Sequence, residues 1–230
     1  MERALKVVFA MLVLAAVLPV AFVYGVYFAG ARNIRADWGP ADAVYPATAR
    51  EALWRSVGGT DKPSIEPVTP PGFMLRILLQ GPGRLDAQSR VLGYVSRVSR
   101  PQGESQAAVH MTSFAAAIRA SRWPTDRVLD TYLDATYLGG DAHGLRAGSL
   151  RVFGQPVEAL DDARLHVLVV MMRGPSYFNP WCHPERVRKA VHASARDWHV
   201  DASDAQLDAA LAAIVPAPAD ASCRPPVGGA

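Results

Sequence analysis

The feature that most constrains this chain is an uncharged run near its N-terminus, Val7–Ala31. As a helix with a rise of about 1.5 Å per residue, the run would be roughly 37 Å long, and the hydrocarbon core of a bilayer is about 30 Å thick. The apolar region of a secretory signal peptide is shorter, about 7–15 residues. The run also has no polar face that a helix of a globular protein would turn toward solvent. It therefore predicts a cytoplasmic stub and a single transmembrane anchor over residues 1–31.

Charge says more about partners than about orientation. The chain has 24 basic and 21 acidic residues. The part that precedes Arg32 holds only Arg3, Lys6 and Glu2 of these, so the remainder is close to neutral and predicts no nucleic-acid partner. Because Arg3 and Lys6 precede the apolar run while Arg32 and Arg35 follow it, the positive-inside rule barely discriminates between the two orientations. Membrane lipid, including anionic lipid near Arg32 and Arg35, is a partner that this pattern favours.

Most of the remaining chain carries helical signals separated by proline and glycine. Pro40 and Pro46 interrupt residues 32–47, which we interpret as a juxtamembrane linker. Residues 48–214 are predicted to form one mainly helical domain, and residues 215–230 a Pro/Ala-rich tail. The individual signals are a capping box at Thr48–Glu51 with a stop at Gly58-Gly59, a loop over 60–72, helices over 85–99 and 105–121, a helix from Pro184 to about Trp198, and a second capping box at Ser203–Gln206.

The two cysteines, Cys182 and Cys223, are open to two interpretations. In an oxidising compartment they could form a disulfide that ties the proline-rich tail to the domain, and the loss of chain entropy would make such a bridge worth about 4 kcal/mol. Their Cα atoms would then lie within about 7 Å of each other. The alternative is two unpaired thiols.

Other candidate chemistry is weak. The densest group of metal-ligating residue types is Cys182, His183, His192 and His199, but no spacing among them matches a structural zinc site. No recognisable elbow motif surrounds a candidate nucleophilic serine. The sequence therefore predicts no metal and no cofactor.

The segment from Trp123 to Pro184 is the most informative part of the chain. Thr125 is a candidate N-cap, and Leu129, Leu133 and Tyr137 recur at helical spacing before a Gly-Gly stop. The motifs Tyr-Leu-Asp at 132–134, Gly-Leu-Arg-Ala at 144–147, Val-Phe-Gly at 152–154 and Gly-Pro-Ser-Tyr-Phe-Asn-Pro at 174–180 follow in that order. This order resembles the C-terminal half of the peptidoglycan glycosyltransferase (transglycosylase) domain, glycosyltransferase family 51.

The resemblance implies a fold, a location and a class of ligand. The fold would be mainly α, a lysozyme-like helical domain behind one N-terminal transmembrane helix. The protein would be single-pass in the cytoplasmic (inner) membrane, with its soluble domain extracytoplasmic, in the periplasm. Its partners would be a peptidoglycan glycan, the lipid-linked precursor or an envelope-assembly protein. The matched positions that become candidate binding residues are Tyr132, Asp134, Gly139, Gly144, Ser176, Tyr177 and Asn179, and Tyr177 or Trp181 could line a sugar cleft.

A second apolar run, Phe73–Leu79, is too short to span a membrane. It can be a buried helix or strand. The resemblance offers another interpretation, a surface that dips into the bilayer beside the anchor, as the family's domain does when it takes a lipid-linked substrate.

The family's catalytic motifs are not recognisable in this chain. The resemblance implies an E-D-x-x-F-x-x-H-x-G motif with the general base, a G-x-S-T-I-T-Q-Q motif, and an R-K-x-x-E motif with a second essential glutamate. Without gaps, these fall on Val57-Gly58, on 87–93, and on Ala108, Val109 and Thr112, where no carboxylate stands. A gapped alternative places the second motif on Gln102-Gly-Glu-Ser105, which recovers its Gly and Ser but loses the Thr and both Gln. Loss of a general base alone typically costs about 10²–10⁴-fold in rate. We therefore predict no catalytic residue and a catalytically silent homologue that binds its ligand or partner.

The matched half also departs from the family pattern, and two enzymatic alternatives stay open. Asp134 stands where the family has asparagine, and Arg164 where it has glutamate. The first alternative is an active, divergent glycosyltransferase that uses displaced acids such as Asp61 or Glu66. The second is a lysozyme-like hydrolase with Glu66 or Glu104 as its acid, since that fold can carry either reaction.

Overall fold

The computed structural model describes residues 2–81, 84–99 and 105–218 together with Cys223. Within these residues the chain is mostly α-helical and forms no strand, only an isolated bridge between Tyr137 and His143. The prediction of a mainly α fold with one N-terminal apolar helix is confirmed. The helices are α1 (Glu2–Arg32), α2 (Ala47–Ser56), α3 (Pro70–Gln80), α4 (Ala87–Val95), α5 (Gln106–Ala120), α6 (Thr125–Ala135), α7 (Gly144–Phe153), α8 (Asp162–Met172), α9 (Pro184–Asp197) and α10 (Asp204–Ala212).

The chain divides into two compact units. Unit 1 comprises Met1–Gly39 and Ile65–Pro124, and unit 2 comprises Pro40–Ser64 and Thr125–Ala230. This division differs from the boundaries inferred from the sequence, a linker over 32–47 and one domain over 48–214, and those boundaries stay predictions.

In unit 1, the C-terminal third of α1 packs on α5 while the rest of α1 is exposed. The described side chains from Leu5 to Phe22 lie on the surface, whereas Val23, Val26 and Gly30 are partly or fully buried. These three positions have the i, i+3, i+7 spacing of one helix face. Among the described residues, α1 is the one helix long and apolar enough to cross a membrane, over Leu5–Arg32, and none of its apolar window is buried.

Gly30 allows the backbones of α1 and α5 to touch. A Cβ atom at position 30 would lie 2.0 Å from the carbonyl oxygen of Met111 and 2.9 Å from the amide nitrogen of Thr112. Both are backbone atoms, so no side-chain rotation relieves the overlap. Any larger residue at position 30 must therefore push the two helices apart.

The α3 helix begins inside the segment that the sequence predicted to be a loop. Pro70 and Pro71 occupy its first positions, and the Thr69 hydroxyl accepts a hydrogen bond from the backbone amide of Gly72. Proline suits these positions because the first amides of a helix have no partner within it. Phe73 is buried and its ring lies 5.8 Å from that of Phe114, but the α3 leucines are exposed: Leu75 (55%), Leu78 (71%) and Leu79 (78%). The apolar run is therefore buried on one face only.

Unit 2 is built around α8. Buried residues occur on all sides of this helix, from Leu165 to Met171, which is the pattern of a helix enclosed by others. The α2, α7, α9 and α10 helices pack against it.

Local start and stop signals were correct in some places and wrong in others. The capping box at Ser203–Gln206 and the start of α9 at Pro184 are confirmed. The capping box at Thr48 is wrong, because α2 begins at Ala47 after Pro46 and no side chain caps it. The extension of α6 to Tyr137 is also wrong. The helix ends at Ala135, and Tyr137 instead pairs with His143 across a turn.

Replacing Gly30 with alanine tests the contact between α1 and α5. Because the new methyl group meets backbone atoms, we expect a loss of about 1–3 kcal/mol in unfolding free energy, read as a lower Tm in detergent. Gly25→Ala is the matched control, since Gly25 lies on the same helix and a methyl group there would have nothing within 4 Å. Alanine there should be neutral or slightly stabilising. Equal melting temperatures for the two variants would contradict the close packing of α1 on α5.

Candidate functional site

A short segment of unit 2, residues 40–46, lies along α6 and is held by α6 side chains. We call this segment the strap. The amide of Ala41 donates to the hydroxyl of Thr131 at 2.9 Å, and the amide of Tyr45 donates to the Asp130 carboxylate at 3.2 Å. Since these bonds join residues 85 to 90 positions apart, the strap fixes the start of α2 against α6.

Asp130 is the fully buried carboxylate beneath the strap. Both of its oxygens accept hydrogen bonds from the Arg50 guanidinium, at 2.7 and 2.8 Å, and the side chain of Asp130 has no exposed surface. This bidentate pairing raises the pKa of Arg50. Removing one partner of such a buried pair leaves an uncompensated charge, which typically costs about 3–5 kcal/mol. The pair is therefore structural and is not available to bind or to transfer a proton.

Asp134, one of the candidate binding residues, also holds the strap. Its carboxylate accepts a hydrogen bond from the Tyr45 hydroxyl at 3.1 Å. Burial raises the pKa of Tyr45, and the negative charge of Asp134 raises it further, so the phenol keeps its proton. The Arg146 guanidinium lies 5.0 Å above the Tyr45 ring and donates to the carbonyl of Val44 at 2.7 Å and to Glu158 at 2.8 Å. Asp134 thus accepts a hydrogen bond that helps to hold the strap. We call Tyr45, Asp134 and Arg146 the Asp134 cluster.

The backbone of Gly144 packs against two residues of this cluster, Asp134 and Tyr45. Its φ of +81° is a conformation that side-chain-bearing residues rarely adopt, and its amide donates to the carbonyl of Thr136 at 2.7 Å. A Cβ atom at Gly144 would lie 2.9 Å from the carbonyl oxygen of Asp134 and 3.4 Å from the Tyr45 hydroxyl. The structure therefore brings Asp134 and Gly144 together, while Tyr132 lies half-buried on the same helix, α6.

The remaining candidate binding residues lie in the Gly139 turn and in the loop over 174–180. Gly139 has a φ of +97°, and its Cβ position would lie 3.9 Å from Pro175 of that loop. The side-chain oxygen of Asn179 accepts hydrogen bonds from the backbone amides of Trp181 at 3.0 Å and Cys182 at 3.2 Å, so Asn179 shapes the loop. Ser176 is exposed.

The two aromatic residues near this loop differ in what they can offer a ligand. The Tyr177 ring is 58% exposed, with the Arg186 guanidinium 4.1 Å from its centroid and a bond from Arg186 to its carbonyl. Trp181 is used internally, since its indole donates to the carbonyl of Val215 at 2.9 Å and lies beneath Arg151. Of the two, Tyr177 has the more exposed aromatic ring.

A disulfide joins Cys182 of this region to Cys223, with the Cα atoms 5.2 Å apart. This separation is inside the 7 Å limit expected from the sequence. Together with the bond between Trp181 and Val215, the bridge ties the segment after α10 to the loop. Because Cys182 is oxidised, it cannot serve in the group of metal-ligating types noted in the sequence. No cluster of three or more His, Cys, Asp or Glu side chains within the described part of the chain could hold a metal ion.

No carboxylate stands at Thr112, Val57 or Gly58, the positions on which the family's two glutamates are predicted to fall when the motifs are placed without gaps. In unit 1, Thr112 is completely buried on α5, at the peptide that Gly30 covers. In unit 2, Val57 ends α2, Gly58 has a φ of +93°, and the following Gly59 lies directly against the indole of Trp54.

The two enzymatic interpretations depend on the acidic residues Asp61, Glu66 and Glu104. Asp61 and Glu66 are both on the surface. The backbone of Glu66 exchanges two hydrogen bonds with the side chain of Gln88. Glu104 lies outside the described residues.

Sequence reasoning missed Tyr45, Asp130 and Arg146, which organise the cluster around Asp134. One signal was present: Asp130 follows Leu129 on the apolar stripe of α6, and a buried carboxylate requires a cationic or hydrogen-bonding partner. The identity of that partner, Arg50, could not be read from spacing because it lies 80 residues away.

Comparison with known proteins places a family match over residues that include Asp130, Asp134 and Arg146 but not Tyr45 or Arg50. Residues 98–199 match the family model described as Transglycosylase. Penicillin-binding protein 1B of Vibrio cholerae serotype O1 is 42% identical over 81 residues, and penicillin-binding protein 1B of Escherichia coli K12 is 36% identical over 77 residues. Penicillin-binding protein 1A of Mycolicibacterium smegmatis is 38% identical over 66 residues. These matches cover 34%, 32% and 29% of this chain but only 10%, 9% and 8% of the relatives.

The resemblance inferred from the motifs is therefore confirmed. Residues 98–199 are similar to the transglycosylase domain of glycosyltransferase family 51, and the described part of this range is helical, as that resemblance implies. The aligned part amounts to about a tenth of the length of the relatives that it matches. The activity and the partners of those much longer proteins are for that reason not transferred with the match.

Replacing Asp134 tests whether its hydrogen bond with Tyr45 holds the strap. Asp134→Ala removes the acceptor of the Tyr45 hydroxyl, and we expect a loss of about 0.5–1.5 kcal/mol in unfolding free energy. Asp134→Asn keeps an oxygen in place and should stay close to the parent protein in a thermal melt. If asparagine destabilises as much as alanine, or if alanine has no effect, the hydrogen bond does not hold the strap.

Proposed function

We propose that the protein is a single-pass protein of the cytoplasmic membrane whose extracytoplasmic domain is a catalytically silent transglycosylase homologue. Its role is to bind a glycan-containing ligand of the cell wall, either a glycan strand or the lipid-linked precursor, or a partner in envelope assembly. The family match over 98–199 supports the class, and the side chains at the motif positions support the loss of turnover.

Two apolar surfaces of unit 1 support contact with lipid. The first is the exposed part of α1 from Leu5 to Phe22, and the second is the leucine face of α3, with Leu78 and Leu79 on its outer side. The α3 helix packs against α1. Exposed apolar surface of this extent is unusual on a soluble monomer, and its position beside the anchor favours the bilayer as its partner.

The disulfide favours the extracytoplasmic orientation that charge alone does not decide. Bridges persist in oxidising compartments and are rare in the cytosol. The bridge between Cys182 and Cys223 lies in unit 2, so unit 2 would be outside the cytoplasm and the N-terminal end of α1, before its apolar run, would be inside.

The burial of Thr112 is the observation that most supports the proposed loss of catalysis. Glycosyl transfer to an acceptor hydroxyl needs a carboxylate that removes the proton and a group that stabilises the departing pyrophosphate. Thr112 has no exposed surface, and the α1 backbone at Gly30 lies against its amide. A threonine hydroxyl cannot act as that base, and a buried side chain could not reach a substrate.

The loop over 174–180 is the part of unit 2 that we propose contacts the ligand. Tyr177 offers an exposed ring that is held in place, because Arg186 lies over it and bonds to the Tyr177 backbone, and the ring of Phe178 packs perpendicular to it at 4.9 Å. A fixed, exposed aromatic ring stacks on the apolar face of a sugar at low entropic cost.

A polymerisation assay with lipid-linked disaccharide pentapeptide tests the proposed function. For the detergent-solubilised full-length protein we expect background levels of glycan chain. In a binding assay with the same ligand, Tyr177→Ala should weaken binding at least about five-fold, the change that corresponds to about 1 kcal/mol. Tyr94→Ala is the control, since Tyr94 also lies beside an arginine, Arg97, but outside the matched region.

The outcomes separate the enzymatic alternatives from the binding role. Robust chain formation that disappears when Asp61, Glu66 or Glu104 is replaced would make the enzyme interpretation correct. Equal loss of binding in the Tyr177 and Tyr94 variants would remove Tyr177 from the ligand site. Failure of the parent protein to bind this ligand would direct attention to a protein partner.

A further inference from the structure

The junction between α9 and α10 contains a histidine between two carboxylates. His192 of α9 has its Nδ1 atom 2.9 Å from Asp204 and its Nε2 atom 3.0 Å from Asp208, both on α10. Arg188, one turn earlier on α9, also bonds to Asp208 at 2.8 Å. None of these residues belongs to the cluster around Asp134 or to the loop with Tyr177.

Both bonds of His192 can form only when its ring is protonated. A neutral imidazole has one N–H donor, and its second nitrogen is a lone pair that would face a carboxylate oxygen. The imidazolium has two donors, one for each carboxylate. The hydrogen bond to Asp204 raises the pKa of His192, the bond to Asp208 raises it as well, and partial burial acts in the opposite direction.

We propose that His192 is a pH-dependent latch that holds α10 against α9 while protonated and lets α10 loosen when neutral. The latch acts on the first turn of α10, because Asp204 is the first residue of that helix and Asp208 lies one turn further on. This device is independent of the proposed function, since it concerns the docking of one helix.

The groups that face His192 are consistent with a charge change at that residue alone. Asp204 and Asp208 face it from α10, and Arg188 lies beside it on α9. From α8, the buried His166 also senses its charge. Burial lowers the pKa of His166 and the charge of His192 lowers it further, while the hydrogen bond to the Val191 carbonyl, at 3.0 Å, acts in the opposite direction. His166 therefore stays neutral where His192 titrates.

Apolar contacts of α10 and the hydrogen bonds of the segment that follows it keep α10 in place when His192 is neutral. Leu207 and Ala210 are buried, and the two residues that form the capping box, Ser203 and Gln206, have no titratable side chain. Beyond the helix, Val215 bonds to the backbone of Val152 and to the indole of Trp181. Loss of the latch should therefore increase the opening of α10 without releasing it.

The pH window follows from the direction of each pKa. Because the pKa of His192 is raised above its ordinary 6.5, its contribution is complete below about pH 6.5 and is lost as the pH rises through the raised value. The bonds from His192 and Arg188 lower the pKa of Asp208 below its ordinary 3.8, so its contribution is lost only as the pH falls through that lowered value. The latch is closed between about pH 4 and 6.5 and opens on the alkaline side.

Hydrogen exchange of the full-length protein in lipid nanodiscs tests the latch. After correction for the intrinsic pH dependence of exchange, protection of residues 204–212 should fall about two- to five-fold between pH 6 and pH 8.5, the loss expected for one or two partly exposed ion pairs. In His192→Gln the protection should not depend on pH. The α2 helix, which has no histidine, is the internal control and should stay constant.

Two results would overturn the proposal. One is an unchanged protection of residues 204–212 across this pH range in the parent protein. The other is the same pH-dependent fall in His192→Gln as in the parent. If that variant does not fold, NMR titration of His192 in the parent decides: a midpoint above 6.5 that moves down in Asp204→Asn supports the latch, and a midpoint at or below 6.5 rejects it.

Discussion

The contact on which the rest of the structure most depends is the one between the backbones of α1 and α5 at Gly30. Helices approach this closely only where one of them has a very small residue. Here that residue is Gly30, which faces the peptide between Met111 and Thr112. The contact has two consequences within unit 1. It holds the C-terminal part of α1 on α5, and it covers the backbone at Thr112, a residue with no exposed surface. A single glycine thus sets how the apolar helix α1 packs on the helix that contains Thr112.

In unit 2 a buried carboxylate has the corresponding role. Asp130 is stable inside the unit only because Arg50 and the Tyr45 amide satisfy its oxygens. These partners fix the strap, and the strap presents the Tyr45 hydroxyl to Asp134. The aspartate that stands where the family has asparagine is therefore used to hold the chain together, which is a different use of a matched position from the binding role that the resemblance implied.

How much of this could be predicted from the sequence depends on how local the cause is. The apolar run at the N-terminus, the proline at the start of α9 and the box at Ser203 act within a few residues, and the helix that each predicts is present. Thr48 and Glu51 have the residue types of a capping box, but Pro46 precedes them and α2 begins at Ala47. Tyr137 had helical spacing, yet α6 ends at Ala135 and the chain turns through Gly139 and Gly140.

The candidate site was harder to predict because its partners are far apart in the chain. The motifs identified Asp134 and Gly144, which the structure brings together, and they identified the loop with Tyr177. They gave no indication that Arg146 would cover Tyr45, or that Asn179 would serve its own loop. Such pairings arise from the packing of helices whose register no local pattern encodes, so a structure was needed to separate the residues that hold the domain from those that remain free.

Solvent access at position 112 tests the central claim most directly. The two native cysteines are joined in a disulfide, so Thr112→Cys would introduce one free thiol. Ser105→Cys, at the exposed N-cap of the same helix, is the matched control. In intact protein, we predict that a membrane-impermeant maleimide labels the control rapidly and the thiol at 112 only after denaturation. Equal labelling of both in the folded protein would show that position 112 faces solvent, and would contradict the account.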